Sequence, residues 1–291
     1  MTARKGATRR WVQFSYKGAD YDRPGPELVK HWARLHRGDA ERLPDAKRVA
    51  ALYGRAGAAR DAVAIEADDA DLAVGVQEAW RAFHRGDFEA AWHGGRALGP
   101  LGVSPAVKSA GVYATYLAEN GAAAERLLRE AVALAESAAK ACPDYANAHY
   151  FHAFALGRYS QRISVLKAIA AGHAGRVRAS LDRALQLEPR HADAHLALGL
   201  YHAEIVGKVG GIAAKVTYGA SAAAAEKHFE KALALFPESP IARVEYANGL
   251  LAMHGDRAQD RAASLYEEAA ACRPEDAMER LDVEQARAEL G

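Results

Sequence analysis

Apolar positions recur along this chain at spacings of three, four and seven, and each set runs into a proline. Val177, Leu181, Ala184 and Leu185 precede Pro189. Ala225, Phe229, Ala232 and Leu233 precede Pro237, and Ala262, Tyr266, Ala269 and Ala270 precede Pro274. Such spacing puts each set on one face of a helix, and the alanines let a neighbouring helix come close. The residues after the prolines also repeat. Pro143-Asp144-Tyr145-Ala146-Asn147-Ala148-His149 returns as Pro189-Arg190-His191-Ala192-Asp193-Ala194-His195, 46 residues on (189 − 143). Pro237-Glu238-Ser239-Pro240-Ile241-Ala242-Arg243 follows 48 residues later (237 − 189). Each proline therefore predicts a helix stop, followed by the start of the next helix.

The first half carries a different repeat. Trp32, Leu35 and His36-Arg37-Gly38-Asp39-Ala40-Glu41 recur as Trp80, Phe83 and His84-Arg85-Gly86-Asp87-Phe88-Glu89, an offset of 48 (84 − 36). Gly can end a helix in the left-handed conformation, and Asp can accept orphan amide hydrogens at the start of the next. Each copy therefore predicts the bend of a helical hairpin. Between the copies, Pro44 to Ala64 reads as helical, and the acidic run from Glu66 to Asp71 caps a helix from Leu72 to His84. Phe88 to Leu98 is a short helix ended by Gly99-Pro100; Pro105 to Asn120 and Ala122 to Ala141 form another pair about the turn Asn120-Gly121.

These positions resemble the tetratricopeptide repeat (TPR): Leu198-Gly199, Ala225, Phe229, Ala232 and Pro237 follow its signature, apart from an interruption. Gly199 and Ala225 are 26 positions apart (225 − 199), about 14 more than in the regular repeat. Ala153 to Val177 spans 24, about 12 more than regular. With Arg162-Ile163, Lys167 to Ala170, Leu181-Asp182-Arg183-Ala184 and Lys227 to Ala232, two long units before a short one resemble the regulator of microtubule dynamics family. More loosely, they are similar to the T-component of TRAP-type transporters.

The resemblance implies an all-α fold, a TPR-like right-handed superhelix of about six hairpins with a capping helix. The expected parts are a basic, flexible N-terminal arm (1–26), degenerate hairpins (27–141), repeats with two long insertions (142–274) and a polar capping helix (275–291). That last helix, with Asp276, Glu279, Arg280, Asp282 and Glu284, is expected to face water.

Composition narrows the function. Aromatics make up only 8% of the 291 residues, while alanine dominates the hydrophobic half, which suits apposed helices better than a β-rich core. Lys plus Arg number 38 and Asp plus Glu 37, so no global field recruits nucleic acid or a membrane. Arg9-Arg10 is followed by charged residues rather than an apolar export core, and no apolar run reaches the roughly 18 residues of a membrane span. Cys142 and Cys272 lack metal or disulfide spacing, so a cytoplasmic location is expected.

Candidate chemistry is sparse. Gly207-Lys208-Val209-Gly210-Gly211 lacks the spacing of a phosphate loop, and the 12 histidines include no His-Glu-x-x-His. No nucleophile with a base, pair of carboxylates or Gly-x-Ser-x-Gly elbow appears, so neither catalysis, a metal nor a cofactor is expected. The insertions are basic: residues 145–181 hold Arg158, Arg162, Lys167, Arg176 and Arg178 without an acid, and 205–225 hold Lys208 and Lys215.

By resemblance to the repeat, the groove is lined by Asn147, Tyr150, Phe154 and Arg158, then Asp193, Leu196, Leu200 and Glu204, then Val244 and Asn248. Arg162 and Lys167 are expected in the same partner-binding groove. The lysines that clamp a chaperone's terminal carboxylates are absent from the first two positions. The expectation is a protein or peptide partner with an apolar or aromatic anchor and acidic residues beside it. The alternative, by the looser resemblance, is a small-ligand-binding or transport-accessory protein.

Overall fold

The fold, obtained as a computed structural model, describes residues 11–16, 20–54 and 67–291. In chain order the helices are α1 (Pro26–Leu35), α2 (Ala46–Gly54), α3 (Asp69–His84), α4 (Phe88–Ala97), α5 (Val103–Tyr116), α6 (Gly121–Ala141), α7 (Ala146–Ser160) and α8 (Val165–Ala170). They continue with α9 (His173–Leu187), α10 (Ala192–Val209), α11 (Gly211–Tyr218), α12 (Ala222–Leu235), α13 (Pro240–His254), α14 (Gln259–Ala270) and α15 (Ala277–Glu289). No strand occurs among the described residues. The fold is an all-α solenoid, as the repeats predict. Of the helix expected over residues 44–64, α2 is described and residues 55–66 lie outside the described chain.

Antiparallel pairs α3/α4, α5/α6, α7/α9, α10/α12 and α13/α14 succeed one another, and α15 packs on the last. Local chemistry starts the helices where the sequence places them. The Asp68 carboxylate accepts from the amides of Ala70 and Asp71, Asp87 from Ala90, Asn120 from Ala123, and Ser239 from Ala242. The two insertions are the short helices α8 and α11, each followed by a glycine at positive φ, Gly172 and Gly219.

The repeat signature has a packing reason. The Phe229 ring lies between α10 and α13, where a Cβ at Gly199 or at Gly249 would stand 2.7 Å from it. Its other neighbour is Tyr246, stacked at 4.8 Å. Gly249→Ala is therefore expected to cost roughly 1–3 kcal/mol by overpacking, read as a lower denaturant midpoint with unchanged helix content.

Two expectations need correction. The second Gly-Asp copy does bend a hairpin, between α3 and α4. After α1, however, the first copy leaves the helix and crosses the molecule, its Gly38 carbonyl accepting from the Asp193 amide at 2.9 Å. The reason is steric and electrostatic: Gly38 has the Asp193 carboxylate where a Cβ would be, and the Asp39 carboxylate is drawn to Lys108.

Nor does the last helix simply face water. Asp276 and Asp282 are buried, bound to His84 and Tyr116, and the Glu279 carboxylate takes both terminal nitrogens of Arg34. Thus α15 leans back onto α3 and α5, and one continuous core runs from Tyr21, Trp32 and Trp80 to Ala277 and Leu281.

Candidate functional site

The last helix, α15, reaches α3, and the residues expected to line the groove fall into two distinct regions. The first is filled by the chain itself. Trp32 and His36, at the end of α1, pack against Trp80 of α3. His36 and His84, equivalent in the two motif copies, meet with Nε2 atoms 3.3 Å apart, and their Nδ1 atoms bond Asp39 and Asp276 at 2.9 and 2.8 Å. Burial, partly offset by Asp276, pulls the His84 pKa down to about 4, so it is neutral at pH 7.

From there residues 36–44 lie under the first turns of α7 and α10. Asp39, with its side chain wholly buried, receives Lys108 Nζ at 2.8 Å. Burial alone would raise the Asp39 pKa, but Lys108 and His36 outweigh it and hold it well below the usual carboxylate range. The Glu41 carboxylate receives Tyr145 Oη and, at 2.8 Å, Asn147 Nδ2; Trp32 Nε1 donates to the Glu41 carbonyl at 2.8 Å. Ser104 and His191 bond Tyr145 and Asn147 from behind at 2.7 and 2.8 Å. Burial raises the Glu41 pKa, with the Tyr145 hydrogen bond working against it. Asp193, half-buried near Lys108 and Asp39, is pushed up to about 6, chiefly by desolvation.

The second region is open. A cavity of about 300 Å³ lies between α7, the start of α9, α10 and the inserted helices α8 and α11. Its apolar walls include Phe154, Ile169, Val177, Leu200, Tyr201 and Ile205. Its polar residues are occupied with one another: Gln161 donates to Glu204 at 2.7 Å, as does Lys208 at 2.8 Å, and Ser160 bonds His173 at 2.8 Å. Such a site favours an apolar group and has little unspent hydrogen-bonding capacity. Its lining includes two exposed aliphatics, Ile169 on α8 and Val209 at the end of α10, and α11 carries two more, Ile212 and Val216.

The residues expected to line the groove divide between these regions. Asn147 is buried against Glu41, Tyr150 is buried against Phe151, Phe154 and His191, and Asp193 is half-buried beside Gly38. Phe154, Arg158, Leu200 and Glu204 line the open cavity. Arg158 is spent on Glu245 at 3.0 Å, and Arg162 donates to the Ala114 carbonyl. Lys167 is exposed on α8, while Asn248, on α13, accepts from Tyr266 at 2.6 Å.

The basic surface expected from the insertions is largely neutralised, because Arg176 pairs with Glu136, Arg178 with Asp182 and Lys208 with Glu204. The acids come from an adjacent turn of the same helix for Arg178 and Lys208, and from other helices for Arg176 and Arg158. Sequence reading missed Glu41, Lys108, Tyr145 and His191. Lys108 had a signal: it is the single charge in α5, and a lone charge on an apolar helix needs a buried partner.

A family model, Regulator of microtubule dynamics protein 1-3, matches residues 106–288, more than half of the chain. No curated protein matches. Among solved structures, a thermophilic TPR protein of Thermus thermophilus is similar at 19% identity, covering 75% of this chain and 99% of its own, with a TM-score of 0.53. That likeness is one of fold.

Proposed function

The chain belongs to the regulator of microtubule dynamics protein 1-3 family, and we propose that it works as a non-enzymatic TPR-like scaffold that takes up a partner protein or peptide by an apolar anchor. The observation that carries this reading is the open cavity between α7, α10 and the two inserted helices. Its wall is apolar, its rim charges satisfy one another, and its mouth is edged by exposed Ile169 and Val209. At about 300 Å³ it accommodates one or two large side chains rather than a folded surface. Insertions on a rigid repeat are a usual place for such specificity. The free cysteines, Cys142 being buried, suit a reducing cytoplasm, and no described helix is long and apolar enough to cross a membrane.

The test is photo-crosslinking from a benzophenone amino acid at Val209, with the same group at exposed Val74 of α3 as reference. Position 209 is expected to yield its own set of protein adducts. Leu200→Arg is expected to reduce that set on the order of tenfold, the loss of one buried anchor. Identical adducts from both positions, or adducts indifferent to Leu200→Arg, remove the cavity from consideration.

A further inference from the structure

The filled region has the construction of a receptor, and residues 36–41 have that of a ligand. The segment is neither helix nor strand, and its strongest bonds run to residues far away in sequence. Asp39 meets Lys108 of α5, Glu41 meets Tyr145 and Asn147 at the start of α7, and the Gly38 carbonyl takes the first-turn amide of Asp193 in α10. Lys108, Tyr145, Asn147, His191 and Ser104 are each at most 7% exposed, and Ser104 orients Tyr145 as His191 orients Asn147. Between the two acids, Ala40 is held at φ 50°, where a residue with a Cβ is strained.

The segment is also reachable. A polar cavity of about 350 Å³ opens onto Asp39 and Ala40, with Arg42 and Arg48 at its wall together with Asp144 and Glu188. Arginines at and around α1 tie this end of the chain to the C-terminal half; of them Arg37 lies in the segment itself, and it also donates to the Leu235 carbonyl at 3.1 Å. Arg23 bonds Glu275 at 2.7 and 3.0 Å, Arg34 bonds Glu279 at 2.7 and 3.1 Å, and Arg37 bonds Glu238 at 3.0 Å. Arg37 and Glu238 are about half exposed, so that clasp is weak and screened by salt.

We propose that this region is a seat for an irregular acidic segment of the form Asp-x-Glu, occupied at rest by the chain's own Asp39-Ala40-Glu41, and that a partner bearing such a segment docks by displacing residues 36–44 when the arginine clasp opens. This site is separate from the apolar cavity, and its fate in experiment is independent of that reading. Two carboxylates are required because the seat offers two buried donor sets, an ammonium for the first acid and a hydroxyl–amide pair for the second. Removing either acid strands buried donors.

The experiment uses the full chain and a fluorescent synthetic peptide of residues 32–44. Its control is the same peptide with Asp39→Asn and Glu41→Gln. In wild type, saturating acidic peptide is expected to accelerate amide hydrogen exchange within residues 36–44, and the control peptide to leave it unchanged. In the clasp variant Arg34→Ala/Arg37→Ala, exchange of that segment is expected to rise without peptide, and the acidic peptide to bind at least tenfold tighter than to wild type by anisotropy. The proposal is overturned if the clasp variant exchanges as wild type does, if a loosened segment brings no gain in peptide binding, or if the two peptides bind alike. Should the variant lose its fold, the wild-type exchange measurement decides alone: no acceleration by acidic peptide overturns it.

Discussion

Lys108→Met is expected to destabilise the protein by about 3–5 kcal/mol, the cost of leaving a buried charge without its partner. The side chain lies along α5 with its ammonium 2.8 Å from Asp39 and about 5.5 Å from the Phe83 ring centre. Burial pulls its pKa down, yet the carboxylates of Asp39 and Asp193 outweigh that and raise it above the ordinary lysine value, so the charge is present at pH 7. Methionine keeps the length and apolar stem of the residue. The loss therefore reports the stranded Asp39 carboxylate, whose remaining partners are His36 and the Glu41 amide. Adding Asp39→Asn to Lys108→Met removes the orphan charge and is expected to restore a large part of the stability. The measurement is a double-mutant cycle by chemical denaturation. A Lys108→Met variant within about 1 kcal/mol of wild type, by the scale of ordinary surface changes, contradicts the picture of a buried ion pair in the seat. Strictly additive effects of the two substitutions contradict it equally.

How much of this was legible beforehand depends on what a repeat encodes. A solenoid specifies contacts between neighbouring units, so its signature residues report local packing. Phe229, Gly199 and Ala225 were readable for that reason, as were the cap at Asp87, the turn at Asn120-Gly121 and the existence of two inserted segments. The seat is different. The Gly38 carbonyl meets an amide 155 positions away (193 − 38) and Arg34 meets a carboxylate 245 positions away. Neither pairing follows from a neighbour rule. The same blindness explains the arginines of the insertions: Arg158 and Arg176 stand in acid-free stretches, yet Glu245 and Glu136 come to them from other helices. It explains the last helix too, since Asp276 and Asp282 read as solvating residues until the superhelix turns them inward. The repeated His-Arg-Gly-Asp was visible as a motif. That its histidines would face each other across the core depends on the winding of the whole array.

Acidification from pH 6.5 towards 4 is expected to destabilise the fold well before its carboxylate pairs titrate. His84 and His191, both fully buried, have native pKa values pulled down to about 4 by burial, against an unfolded value of 6.5. Below pH 6.5 the unfolded chain takes up protons that the native state refuses, so stability falls with pH across this window and levels off below 4. A gap of about 2.5 units corresponds to roughly 3 kcal/mol for each group. His149, His152, His173, His195, His202 and His228 are lowered as well, mainly by burial, and add in the same direction.

Opposing them, Asp193 is raised to about 6, so it binds a proton in the native state while still ionised in the unfolded chain; its contribution grows as pH falls from 6 to 3.8. Buried Glu41 and Asp282, also raised, act likewise. The histidines outnumber these acids and begin to titrate at a higher pH, so the net slope is a loss. Asp39 and Asp276, both held low, add their own loss only below the unfolded carboxylate pKa. Denaturant titrations at half-unit pH steps test the assignment. Asp193→Asn, nearly isosteric and stripped of the opposing proton, is expected to steepen the acid loss between pH 6 and 4. A wild-type slope that is flat or inverted between 6.5 and 5 means that the buried histidines are not neutral in the native protein. A variant with the wild-type slope means that Asp193 is already ionised, which would set a second negative charge beside Asp39 in the seat.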